Sequence, residues 1–294
     1  MCLRSRTRGR LAAVGLVGVL ILAACGDDDG PIPQTGVRET TTTPSTTTTT
    51  AAPTTTAAVD EAALDVLVTN DDGFDAAGID ALVEAVRQVE GVTVTVVAPA
   101  GQQSGTGGDT TPGPVATGTG TTASGFEVTT VEGFPADAVR VALEDLGLQP
   151  DLMLSGINEG QNLGPIVDVS GTVGAARAAV RAGVPALAVS AGVVEGTEPD
   201  YAAAVELALD WLAENRAVVA GGGMSLDAVP NLNVPTCTAG EGRGLLEVEP
   251  GTDGDPLAVA DCESTAEEPT DDIGAFTSGY ATLTLVPVEP DAAA

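Results

Sequence analysis

An α/β fold is what this sequence predicts: a Rossmann-like three-layer sandwich of mostly parallel sheet with a small β-rich C-terminal extension. Three apolar runs, at residues 64–68, 92–98 and 151–154, are short and nearly uninterrupted, the first two rich in β-branched residues, as parallel strands covered on both faces are. Each stops at a corner rich in oxygen-bearing side chains and glycine. The first is followed from Gly78 by a helical pattern with Ile79, Leu82, Val83 and Val86 on one face. Strand, polar turn, helix is the unit of an open sheet whose ligands gather at the carboxyl ends of the strands.

In chain order, residues 1–24 read as a leader rather than part of the fold. Arg4, Arg6, Arg8 and Arg10 precede an apolar segment too short to span a bilayer comfortably. It ends in Leu22-Ala23-Ala24-Cys25, which resembles the lipobox of bacterial lipoproteins and implies cleavage before Cys25 with lipid on its sulfur. An ordinary secretory leader with an incidental cysteine is the alternative. Several acyl chains on one cysteine anchor stably where a single chain is marginal. We therefore expect an exported protein, lipid-anchored to the outer face of the cell membrane and touching it through that anchor only. Residues 25–62 read as a disordered Thr-rich tether, because the Thr, Ala, Ser and Pro that fill 40–56 have no apolar period and cannot bury enough surface to fold. Fully extended, it would reach on the order of 100 Å.

The folded domain is expected at 63–290. Its first strand, 64–68, stops at Asn70-Asp71-Asp72-Gly73, residue types that tolerate turns most cheaply, so a plain turn accounts for the motif taken alone. The second strand, 92–98, is ended by Pro99, and 100–114 is a Gly/Thr-rich loop containing Gln102, Gln103, Ser104 and Gly105. A strand at 126–131 and a helix at 135–146, opened by Pro135 in its first turn, come next. Strand 151–154 then stops at Ser155-Gly156-Ile157-Asn158-Glu159-Gly160-Gln161-Asn162-Leu163-Gly164. One such corner means little, but three on one sheet edge look like a site.

After it, 173–182 is an alanine-rich helix with Thr172 as a plausible N-cap and Gly183 as its stop. Its first amides would point out of the same edge, and glycine at 171 would let an anion approach the backbone. An ordinary capped helix without any ligand would explain Ser170 and Thr172 equally well. Residues 201–214 form an amphipathic helix with Ala204, Leu207, Ala208, Trp211 and Leu212 on one face. Gly221 to Gly223 make a joint, lacking the strand and helix that flank a phosphate loop. Stretches 245–248 and 281–288 read as strands of the C-terminal extension, and Asp271 and Asp272 as surface turn residues.

Composition narrows the chemistry. The 294 residues carry a formal charge of -31, which repels polyanions and excludes a nucleic-acid polymer as partner. There is no histidine, and all 11 basic residues are arginine. Ser-His-Asp hydrolysis and His-ligated zinc are thereby excluded, as are a Walker A lysine and Schiff-base chemistry.

Thr69-Asn70-Asp71-Asp72-Gly73 with Gly78-Ile79, Ala98-Pro99 with Ser104-Gly105, the corner from Ser155 to Gly164, and Ser170-Gly171-Thr172-Val173-Gly174-Ala175-Ala176-Arg177 together resemble the successive motifs of the SurE family. That family comprises metal-dependent 5'/3'-nucleotidases of nucleoside monophosphates. The resemblance implies metal ligands at Asp71, Asp72, Ser104 and Asn158, and phosphate contacts around Asn162, Ser170, Gly171 and Thr172. It also implies a homodimer or tetramer. Carboxylates, a hydroxyl and an amide oxygen are hard donors, suited to magnesium or manganese, with calcium admissible, and poorly suited to zinc or copper. Two adjacent carboxylates repel at a desolvated edge, and a divalent cation relieves that repulsion.

The implied activity is hydrolysis of a nucleotide or other phosphomonoester, with proton transfer left to Asp71, Asp72 or solvent. A broad acid phosphatase on the same site and a non-catalytic nucleotide- or cell-wall-binding lipoprotein are the alternatives. Departures from the family pattern are Phe134, in Gly133-Phe134-Pro135-Ala136-Asp137 where Gly-Thr-Pro-Ala-Asp is usual, and Val169 before Ser170 where Tyr is common. With Cys2 in the leader and Cys25 lipidated, Cys237 and Cys262 are left in an oxidising compartment, where we expect them to pair; two separate buried thiols are the alternative.

Overall fold

A computed structural model describes residues 62–267 and 269–289. The leader, the lipidation cysteine Cys25 and all but the last residue of the tether lie outside the described residues. Among the described residues, nine strands form one sheet in the order β3-β4-β2-β1-β5-β6-β7-β9-β8. They are β1 (Leu64–Thr69), β2 (Val92–Pro99), β3 (Thr117–Thr121), β4 (Glu127–Val131), β5 (Leu152–Glu159), β6 (Ala186–Ala191), β7 (Ala228–Val234), β8 (Leu245–Glu247) and β9 (Ala281–Pro287). The run from β4 through β2, β1, β5 and β6 to β7 is parallel, while β3 and β9 join its two ends antiparallel.

Period-2 geometry divides the strand side chains between two cores. Leu64, Val66 and Val68 of β1 pack with Leu152, Leu154, Leu187 and Val189 on one face. That face is covered by α1 (Ala77–Val86) and α4 (Tyr201–Ala220), through Ile79, Leu82, Val83, Ala204, Ala208, Trp211 and Leu212. Leu67, Val97, Met153 and Ala188 turn to the opposite face, covered by α2 (Pro135–Arg140) and α3 (Gly171–Arg181). The three-layer α/β class expected from the sequence is the one observed.

Several elements differ from expectation. β5 continues through the polar corner to Glu159, with a register shift between Ser155 and Asn158. Its polar half stays extended because β1 and β6 pair with it, Thr69 opposite Ser155 and Ser190 opposite Asn158. The N-cap of α3 is Ser170, not Thr172: Ser170 Oγ accepts from the Val173 N–H at 3.1 Å. α2 is shorter than expected and passes into one π turn, Val141–Asp145. α4 runs six residues beyond Glu214, to Ala220. β3, a Thr-Gly alternation without apolar residues, has no strand signal of its own and forms by pairing with β4. The C-terminal strands extend the main sheet at its edge, β9 beside β7 and β8 beside β9.

Asp271 and Asp272 are not both surface turn residues. Asp271 caps α5 (Asp272–Thr277) by accepting from the Gly274 N–H at 2.8 Å. Asp272 is wholly buried and accepts from the N–H groups of Gly164 at 2.9 Å and Gly251 at 2.7 Å. It closes the C-terminal segment onto the turn that follows β5.

Cys237 and Cys262 form a disulfide with their Cα atoms 5.7 Å apart, closing a loop of sequence separation 25. Restricting the unfolded chain over that length stabilises by about 3 to 4 kcal/mol in the entropy model. Reduction, or Cys237→Ser with Cys262→Ser, should therefore lower the thermal midpoint by several degrees. An unchanged midpoint on reduction would show that the cross-link adds nothing to the fold.

Candidate functional site

The carboxyl ends of β1, β2, β5, β6 and β7 share one edge of the sheet, and the polar corners meet there. At the end of β1, Asn70 is buried and its Nδ2 donates to the Gly73 carbonyl at 2.8 Å, closing the turn that presents the two aspartates. Gly73 has φ +105, a conformation open to glycine. The turn is tied to the loop after β2 by the Phe74 N–H to Pro99 O at 3.0 Å and the Gln103 N–H to Asp71 O at 2.6 Å.

Asp71 is only 2% exposed. Its Oδ1 accepts from the Thr172 hydroxyl at 2.6 Å, and the Thr172 N–H and Ser104 hydroxyl also support the carboxylate. Burial nonetheless pushes the Asp71 carboxyl up from its ordinary range, because desolvation outweighs those hydrogen bonds. Asp72 is half-buried and accepts from the Glu159 N–H at 2.8 Å. Burial, opposed by that N–H and assisted by the charges of Asp71 and Glu159, pushes it up to about 7. Two carboxyl groups raised at one edge mark a place where negative charge lacks a counter-charge.

Asn158, near the end of β5, donates from Nδ2 to Gly160 O at 2.5 Å. Its Oδ1 is buried and meets no hydrogen-bond partner among the described residues, a condition shared by Asn70 Oδ1 in the neighbouring turn. Buried amide oxygens are normally paired, so one left open at an acidic edge suits a cation. Ser104 is exposed in the loop after β2, its Oγ receiving Gln102 Nε2 at 2.7 Å. The four donors named from the sequence are thus held at one edge by β1, β5 and the β2 loop. They are two carboxylates and two neutral oxygens; among the described residues no group of three acidic, cysteine or histidine side chains is placed to hold a metal.

The start of α3 is organised differently from expectation. Ser170 Oγ is engaged as the helix cap, and Thr172 gives both its hydroxyl and its N–H to Asp71. The glycine at 171 is required by that contact: a Cβ there would fall 2.8 Å from Asp71 Oδ2. Asn162 is buried, with Nδ2 donating to Ser190 Oγ at 2.9 Å and its N–H donating to Asn233 Oδ1 at 2.7 Å. Its carbonyl accepts from Asn231 Nδ2 at 2.8 Å and Asn233 Nδ2 at 3.1 Å. Ser190, Asn231, Asn233 and the Glu159 N–H went unassigned from sequence. Asn231 and Asn233, two polar residues one apart inside an otherwise apolar strand, were the available signal.

Comparisons with known proteins place the chain in a family. The family model for survival protein SurE matches residues 66–252. The 5'-nucleotidase SurE of Desulfovibrio desulfuricans is 40% identical over 192 residues, covering 62% of this chain and 70% of that protein. The 5'-nucleotidase SurE 1 of Burkholderia lata is 38% identical over 188 residues, covering 63% and 70% respectively. Among solved structures, the SurE protein of Aquifex aeolicus superposes with a TM-score of 0.61 at 28% identity, covering 76% of this chain and 94% of its own. Because the family match begins inside β1 and runs past β8, it takes in every residue gathered at the sheet edge, and the chain belongs to the SurE family.

Proposed function

We propose that the protein is a phosphomonoester hydrolase that releases phosphate from nucleoside 5'-monophosphates, with 3'-monophosphates as a second substrate class. The observation that carries this reading is the unpartnered Asn158 Oδ1 beside Asp71 and Asp72, an oxygen set shaped for a hard divalent cation next to the start of a helix. The 5'-nucleotidases among its relatives support the substrate class.

Asp71, Asp72, Ser104 and Asn158 would hold magnesium or manganese. Such a cation, when bound, supplies Lewis-acid charge for a phosphate oxygen and lowers the pKa of water. The chain's own residues do the rest. Thr172 fixes the Asp71 carboxylate in place, so that no reorganisation is needed when negative charge arrives. The Gly171 backbone lies directly against the Asp71 carboxylate, which a side chain at 171 would displace. Asn162, held from both its N–H and its carbonyl, presents a second polar group from the adjoining turn. Without histidine, proton transfer falls to a carboxylate or to water. Asp72, half-exposed where Asp71 is enclosed, is the carboxylate that solvent reaches.

The export and lipid anchor implied by Leu22-Ala23-Ala24-Cys25 belong to this proposal and rest on sequence, supported by a disulfide suited to an oxidising compartment. Assembly as a homodimer or tetramer is supported by the exposed apolar residues Leu245, Leu257, Val259 and Leu285 of the C-terminal part.

Three outcomes test the site. Asp71→Asn should cut phosphate release by a factor of about a hundred or more while leaving the thermal midpoint equal or higher, because it removes charge that burial disfavours. Unaltered protein should lose activity in excess chelator and regain it with magnesium or manganese. Turnover that survives either treatment would refute a metal-dependent site. Gly171→Ala should disturb Asp71 as well as any phosphate, raising the cation concentration for half-maximal activity by roughly ten- to a hundredfold. A change confined to inhibition by free phosphate, with cation demand unaltered, would show that Asp71 does not depend on this glycine.

A further inference from the structure

We propose that the cleft beside the aspartate turn is a nucleobase subsite in which the ring of Phe134 stacks on the substrate's base, an inference that rests on the nucleotide reading above. The cleft encloses about 470 Å³ and is lined by Gly101, Gln103, Thr111, Glu132 and Phe134 among others. Its floor is the loop that touches the site: the Gln103 N–H reaches Asp71 O at 2.6 Å, and Ser104 follows directly. A substrate with its phosphate at Asp71 and Gly171 can therefore extend its other end along this loop. A larger cleft, of about 770 Å³, is lined by residues of α4, β8 and β9 and by none of the loop that carries Gln103 and Ser104.

Phe134 has no structural use that explains it. The chain is 2% aromatic, and its other three phenylalanines, Phe74, Phe126 and Phe276, pack into or against hydrophobic cores. Phe134 belongs to none of those clusters and is half-buried at the cleft. It occupies the N-cap of α2, where an oxygen-bearing side chain would accept from the first turn and a phenyl ring cannot. The backbone that carries the ring is held in position. Asp137, wholly buried, accepts from the Phe134 N–H at 3.0 Å and from the Thr111 N–H at 3.0 Å and 3.1 Å. One carboxylate thus ties two walls of the cleft together. Glu132 and Gln103 line the same cleft and carry the acceptor and amide groups that a base edge can meet.

The test compares unaltered protein with Phe134→Ala and Phe134→Tyr, measuring binding of AMP, adenosine and ribose 5-phosphate by calorimetry alongside phosphate release from AMP. Phe134→Ala should weaken AMP and adenosine roughly ten- to a hundredfold, the scale of one lost base stack, with ribose 5-phosphate unchanged. Phe134→Tyr should restore both. Equal adenosine affinity and equal KM for AMP in Phe134→Ala and unaltered protein would overturn the subsite while leaving the hydrolase reading standing. An equal loss of ribose 5-phosphate affinity would also overturn it, as general damage to the site. If unaltered protein releases no phosphate from AMP yet binds adenosine through Phe134, the hydrolase reading falls and the base subsite stands.

Discussion

The hydrogen bond from the Thr172 hydroxyl to Asp71 Oδ1, 2.6 Å long, joins residues 101 positions apart and sets the geometry on which the site depends. It welds the end of β1 to the start of α3, with the Thr172 N–H reinforcing it. Asp71 is thereby buried as a carboxylate facing hydrogen-bond donors, and it still titrates above its ordinary range because burial costs more than those donors return. The neighbouring residues follow from the weld. Gly171 must lack a side chain because the carboxylate lies against it, and Ser170 is free to cap the helix because Thr172 is engaged elsewhere.

Parallel pairing supplies the rest of the placement. β5 lies between β1 and β6, so its polar end is held extended beside the aspartate turn, and the Glu159 N–H is aimed at Asp72. Asn231 and Asn233 on β7 grip the backbone of Asn162, which in turn meets Ser190 on β6. A buried polar network of this kind is rigid when its members are paired. Asn158 Oδ1 and Asn70 Oδ1 at the aspartate edge, and Asn231 Oδ1 within the network itself, are left without a hydrogen-bond partner among the described residues.

The C-terminal part, much of it beyond the family match, acts on the site through its supports. Asp272 holds the Gly164 N–H, and the buried Arg177 binds Val167 O, Asp168 Oδ1 and Pro287 O. The turn after Asn162 is therefore fastened both to α5 and to the end of β9. Substitutions there would be felt as looseness at Asn162 before they were felt as unfolding, since a few tenths of an ångström matter to a preorganised site.

The sequence by itself determined the α/β class and the gathering of three polar corners at one sheet edge, while the choice of Asp71, Asp72, Ser104 and Asn158 within them is what the resemblance to the SurE family implies. Apolar runs covered on both faces and stopped by oxygen-bearing corners are local signals that survive without knowledge of the fold. Only the tertiary structure decided what each residue of those corners touches. Ser170 rather than Thr172 caps α3, because a carboxylate from β1 claims the threonine, and no local pattern reports a partner 101 positions away. Asp272 lies buried rather than exposed for the same reason: its N–H donors, Gly164 and Gly251, are brought to it by the sheet. β3 forms because β4 offers it an edge, and β8 and β9 join the main sheet because β7 does. Propensity acts over a few residues, whereas strand pairing and buried hydrogen bonds are settled between segments that meet only when the chain has folded.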